Sequence, residues 1–121
     1  MTPKAGKAKG RRLQDRVSSD LREITGLGVD DIRPAPMGQK GPDVWMSTRA
    51  QTSLPFVFEC SNVERLPIWS KLEQAQGHAH LVAPLLPRVP VLVFARNRSE
   101  PYACVPWADF LALLRKARPV P

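Results

Sequence analysis

Apolar positions recur along this chain with two different periods, and the switches between them predict its elements. Leu13, Val17, Leu21 and Ile24 fall at helical spacing with Arg12, Arg16 and Arg22 among them, which predicts a helix over residues 10–25. Gly26 and Gly28 end it. From Val29 to Pro36 a short strand or extended link is expected, with Asp30 and Asp31 at its start and Pro34 and Pro36 opposing regular pairing. Met37 to Pro42 has loop chemistry. Val44–Ser47 and Leu54–Cys60 read as strands joined by a polar turn over 48–53, and their apolar content suggests central places in a sheet. In the second strand Val57, Glu59 and Ser61 share one face, and Phe56, Phe58 and Cys60 the other.

A second helix is expected from near Pro67, with Ile68, Leu72, Ala75 and Ala79 as its apolar stripe. Lys71, Gln74 and His78 share a different face of it. Pro84, Pro87 and Pro90 punctuate a rigid loop, Val91–Ala95 reads as a buried strand, and Tyr102–Val105 as its hairpin partner. A last helix follows Pro106, with Trp107, Phe110, Leu111 and Leu114 expected on its inner face. This order predicts an α/β fold, a mixed central sheet flanked by helices. A doubly wound parallel sheet is not expected, because too few strand–helix repeats are present.

Composition narrows the class. The chain has 121 residues, which suits one domain. No run approaches the ~20 apolar residues of a membrane span, and no apolar stretch backs the basic N-terminus as in a secretory signal. The expectation is a cytoplasmic protein with no membrane partner. Cys60 and Cys104 lie in apolar runs and are expected to be buried free thiols. The formal charge is +7, and Lys4, Lys7, Lys9, Arg11 and Arg12 all precede the first acid, Asp15. Residues 1–9 therefore read as a basic flexible arm, ahead of a single domain over 10–118. Such an arm is either a solvated tail or a segment that orders on a phosphate backbone.

The candidate chemistry sits in Pro42-Asp43 and in Phe58-Glu59-Cys60-Ser61-Asn62. Asp43 opens one expected strand and Glu59 closes the next, about symmetrically around Gln51. An antiparallel hairpin would set the two carboxylates roughly 5 Å apart. Carboxylates that close repel unless a proton or cation lies between them. Mg²⁺ suits such a pair, completed by waters, a substrate phosphate and the Cys60 carbonyl. It would polarise the phosphate and activate water. The plainer alternatives are a turn role for Asp43 and a salt bridge for Glu59. His78 and His80 lack a nearby Cys pair for zinc and read as facing solvent or DNA. Trp45 and Trp69 read as core or interface residues, and no serine forms a convincing nucleophile–base pair with either histidine.

At these residues the chain resembles the PD-(D/E)xK nuclease superfamily, and more narrowly small phage-encoded Holliday junction resolvases of the archaeal type. The resemblance runs through Lys9-Gly10-Arg11-Arg12-Leu13-Gln14, Met37-Gly38-Gln39-Lys40-Gly41-Pro42-Asp43, Phe58-Glu59-Cys60-Ser61-Asn62, Ile68-Trp69, Leu72-Glu73-Gln74-Ala75 and Val93-Phe94-Ala95-Arg96-Asn97-Arg98. It implies a restriction-endonuclease-like αβββαβ core and Mg²⁺-dependent phosphodiester hydrolysis, with Mn²⁺ able to substitute. Asp43 and Glu59 match the metal-binding acids, and Gln74 a helix glutamine near the site. Gln14 stands where relatives carry a glutamate. The resemblance also implies a homodimer that makes paired nicks in a four-way junction, leaving 5′-phosphates, and the host cytoplasm as its place of action. Lys9, Arg11, Arg12 and Lys40 are the candidate contacts to branched DNA.

The departure is Ser61, where the pattern carries lysine. A hydroxyl supplies no positive charge to the phosphate. Three accounts stay open: a substitution that silences catalysis but leaves metal and DNA binding, a lysine supplied from Lys71 or Lys40, or a natural binder without catalysis. A nuclease on duplex or flapped DNA, a non-catalytic DNA-binding module and a protein-interaction module are the rival functions.

Overall fold

A computed structural model describes residues 3–36, 38–82 and 88–118, with the side chains of 3–5 and 81–82 left out. Residues 3–9, expected to be a flexible arm, are helical and continuous with the first predicted helix as α1 (Pro3–Thr25). Its C-terminus is closed by Gly26 at φ 73, whose amide donates to the Arg22 carbonyl at 2.9 Å. Leu13, Val17 and Leu21 are buried, as their spacing predicts, whereas Ile24 is exposed beyond the packed stripe.

Then come β1 (Ile32–Pro34), β2 (Val44–Met46), α2 (Thr48–Ser53) and β3 (Phe56–Asn62). Two expectations fail here. The first concerns the polar stretch 48–53, which is helical and not a turn. Ser47 caps it by accepting from the Ala50 amide at 3.1 Å, and Ala50 is fully buried. The second is the hairpin between β2 and β3. Instead β2 pairs antiparallel with β1, placing Ile32 opposite Met46 and Pro34 opposite Val44. Pro34 does not prevent this pairing because it occupies the last rung, where a missing amide costs little. Arg22 and Arg11 fasten this ribbon to α1 by donating to the carbonyls of Ile32 (2.9 Å) and Ala35 (3.0 Å).

The main sheet is mixed, in the order β3-β4-β5. β4 (Val89–Ala95) runs parallel to β3, with Phe58 beside Val91 and Glu59 beside Leu92, and β5 (Tyr102–Cys104) pairs antiparallel with β4. The central strand is thus β4, while β3 takes an edge of this sheet. Between them α3 (Ile68–Val82) crosses one face, and α4 (Trp107–Ala117) ends the chain. Period-2 alternation divides the core: Phe58, Val91, Val93 and Ala95 face α1, while Val57, Glu59 and Leu92 take the other face. Ala75 and Ala79 of α3 are buried as the stripe predicts. Helix α4 departs from expectation, since none of its residues is buried. No described helix is long and apolar enough to cross a membrane.

Two substitutions test this core in urea denaturation. Ile32→Ala, at a fully buried site between α1 and β2, should cost about 2–5 kcal/mol. Ser18 is fully buried on α1, and its hydroxyl has no hydrogen-bond partner among the described residues. Ser18→Ala should therefore be neutral or stabilise by about 1 kcal/mol. A clear loss would show a partner for that hydroxyl.

Candidate active site

The loop before β2 turns at Gly41, whose φ of 121 is rarely open to other residues, and delivers Pro42-Asp43 to the free edge of β3. There the Asp43 amide donates to the Phe58 carbonyl at 3.2 Å. The Asp43 carboxylate accepts from the Cys60 amide at 2.8 Å. One residue thus supplies a main-chain donor and a side-chain acceptor to successive groups of the strand. Its own carbonyl is held by the Ala35 amide at 2.8 Å. Asp43 and Glu59 therefore converge, as the sequence suggests, but by edge docking and not by facing each other in a hairpin.

Glu59 is buried in the middle of β3. Burial, the charge of Asp43 and a hydrogen bond to Asp43 push its pKa up to about 9, and the positive charge of Lys71 acts in the opposite sense. Burial beside a second carboxylate thus holds Glu59 toward its neutral, protonated form. The Nδ1 atom of His78, half-buried on α3, meets Oε1 of Glu59. His78 is turned toward Glu59 and is not a solvent-facing side chain. Its i+7 relation to Lys71 was the available signal. His80 is exposed.

The remaining candidates divide. Ser61 is buried on the same strand face as Glu59. Lys71 is half-buried, and its charge is felt at Glu59. Gln74 is exposed, with no hydrogen bond to either acid among the described residues. Gln14 is half-buried, with an unpartnered Oε1. The Cys60 thiol is held protonated by burial and by the charges of Asp43 and Glu59, and both cysteines are free. Both are half-buried and not fully buried as expected, and Cys104 is the last residue of β5. Arg12 and Lys40 are exposed. Arg11 is engaged within the fold through Ala35 and an ion pair with Asp15 at 3.8 Å, and Lys9 meets Asn97. Trp45 carries the Arg33 guanidinium 4.1 Å above its ring, and Trp69 is exposed, so neither is a core residue. Lys40 and Arg88 line a cavity of about 170 Å³ beside Pro42 and Val44, which Asp43 and Glu59 do not line.

Among the described residues, no group of three or more His, Cys, Asp or Glu side chains is set to hold a metal ion. A cation here would rest on two carboxylates with main-chain, water and phosphate oxygens. The donor chemistry fits Mg²⁺, and a positive ion would relieve the repulsion that keeps Glu59 protonated. No family model, curated protein or solved structure matches this chain.

The raised pKa of Glu59 has a thermodynamic consequence in metal-free buffer. Between about 4.5 and 9 the unfolded chain carries an ionised Glu59 while the folded one keeps the proton. This contribution to stability is complete below 4.5 and is lost as pH rises toward 9. One group gives a slope of at most about 1.4 kcal/mol per pH unit. Denaturation midpoints across that range should fall less steeply for Glu59→Gln than for the parent. Equal slopes would mean that Glu59 ionises normally.

Proposed function

We propose that this chain is a metal-dependent endodeoxyribonuclease of the PD-(D/E)xK type, selective for branched DNA, and acts as a Holliday junction resolvase. The observation that carries the reading is the docking of Asp43 on β3 beside the buried Glu59, with Cys60 between them. The element order α1-β1-β2-α2-β3-α3-β4 contains the αβββαβ order of that superfamily with α2 inserted between β2 and β3, and with β1–β2 paired apart from the β3-β4-β5 sheet. Asp43, Glu59 and the Cys60 carbonyl would hold Mg²⁺ or Mn²⁺. The bound ion would polarise the scissile phosphate and lower the pKa of the attacking water.

The chain's own residues prepare that site. The Cys60 amide fixes the direction of Asp43. His78 braces Glu59 on its other side, donating when its proton sits on Nδ1. Ser61 is buried and uncharged, so the cation that such chemistry needs at the phosphate must come from elsewhere. Lys71 is favoured over Lys40 for this role, because its charge already reaches Glu59. Arg12 and Lys40, both exposed, are the readiest contacts to the DNA backbone. Two copies would nick two strands of a four-way junction symmetrically.

A second reading has one observation in its favour: the buried serine at 61 leaves β3 without the expected positive charge. On that reading the chain binds junctions and does not cut them.

A labelled four-way junction and a matched linear duplex, incubated with Mg²⁺ or Mn²⁺, separate these readings. The parent should make paired nicks in the junction. Lys71→Ala should slow them by on the order of 10²–10³, and Asp43→Asn should abolish them. Junction binding without cleavage by the parent and by Ser61→Lys would leave the scaffold reading. Removing Arg12 or Lys40 should weaken binding to every sequence and reduce the salt slope by about 1. An unchanged salt slope would exclude that side chain from the backbone contact.

A further inference from the structure

Beside Asp43 lies a cavity whose lining, among the described residues, holds two cations and no acid. Val44, Met46 and Val57, all buried, form its apolar floor. Lys40 and Trp45, both exposed, stand at its rim. Arg88, the residue before β4, completes the lining. Its Nη2 atom is buried and has no hydrogen-bond partner among the described residues. Burial also lowers the pKa of this guanidinium, so its charge is held at a cost. Asp109, which borders a second opening that Arg88 shares, makes no ion pair with it.

A buried donor without a partner is costly, and a cationic one calls for an anion. We propose that this cavity binds a pyrimidine nucleotide through its phosphate monoester, with Arg88 and Lys40 on the phosphate and the base against the apolar floor. Charge selects the monoester. Such a phosphate carries about −1.5 to −2 at pH 7, which matches two cations with no carboxylate beside them. An internal phosphodiester of DNA carries one charge, so this pairing differs from a backbone contact. Arg33, its guanidinium 4.1 Å from the Trp45 ring centre, adds positive potential at the rim.

Size selects the base. The cavity holds about 170 Å³, and one of about 150 Å³ accepts a single benzene ring. A pyrimidine fits that space and a purine overfills it. The lining also offers a polar edge. Gln51 donates from Nε2 to the Met46 carbonyl at 2.9 Å, which fixes its amide and leaves Oε1 for an N–H of the base. A ligand of this chemistry has two sources, a free nucleotide or the 5′-phosphorylated end of a DNA strand. The second source rests on the nuclease reading, in which such an end is released at Asp43, between the lining residues Pro42 and Val44. The binding itself does not rest on it.

Calorimetric titration of the full chain in EDTA tests the cavity apart from any metal at the carboxylates. Thymidine 5′-monophosphate should bind saturably. Thymidine and inorganic phosphate should each bind at least about tenfold more weakly, and deoxyadenosine 5′-monophosphate should also lose affinity. Arg88→Met should weaken the monophosphate by on the order of ten- to a hundred-fold while the circular dichroism is kept. The ligand series on the parent gives an answer even if that variant unfolds. A 5′-phosphorylated oligothymidine that binds as tightly as the mononucleotide assigns the ligand to a strand end, and its exclusion assigns the ligand to a free nucleotide. No saturable binding of the monophosphate, equal affinity for thymidine or for inorganic phosphate, or full affinity in a folded Arg88→Met would each overturn the proposal. Junction nicking without nucleotide binding overturns this proposal alone, and nucleotide binding without nicking overturns only the nuclease reading.

Discussion

The candidate site depends on how the outer edge of β3 is satisfied. A strand edge exposes amides and carbonyls that need partners, and a neighbouring strand usually supplies them. Here much of that role falls to one residue. Asp43 takes the Phe58 carbonyl with its amide and the Cys60 amide with its carboxylate, so a side chain acts as a rung of the ladder. The bond that closes this edge also brings a negative charge to the buried Glu59. Fold and electrostatics are therefore coupled: Asp43 cannot leave Glu59 without freeing the β3 edge, and cannot stay without keeping Glu59 protonated or attracting a cation.

This coupling explains why the site was legible in the sequence while its scaffold was misread. Asp43 and Glu59 stand out because acids border apolar strand segments, where an unpaired charge is costly. That signal does not depend on how the strands pair. The hairpin did depend on residues 48–53, and there the sequence is ambiguous. Ser47 and the polar residues after it suit a turn or a capped helical turn equally, and what selects the helix is burial of Ala50, a tertiary effect. Long periodic segments fared better. The buried stripes of α1 and α3 and the β4–β5 hairpin follow their apolar spacing. In α4 the spacing misleads, since Trp107, Phe110 and Leu114 are exposed, and periodicity alone does not say whether an apolar stripe meets the chain's own core.

Two helices thus complete the picture from opposite sides. Helix α3 presents His78 and Lys71 toward the carboxylates, giving Glu59 a hydrogen-bonding neighbour and an opposing charge. Helix α4 leaves Trp107, Phe110 and Leu114 exposed, with Trp69 and a groove between α3 and β5 beside it.

The central claim is that Asp43 and Glu59 form one cation site, and electron paramagnetic resonance of Mn²⁺ titrated into the chain at mildly alkaline pH tests it most directly. The account predicts saturable loss of the free Mn²⁺ signal for the parent, and none at matched concentration for Asp43→Asn or Glu59→Gln. Binding that survives both substitutions, or no binding by the parent with or without a DNA junction, would contradict it.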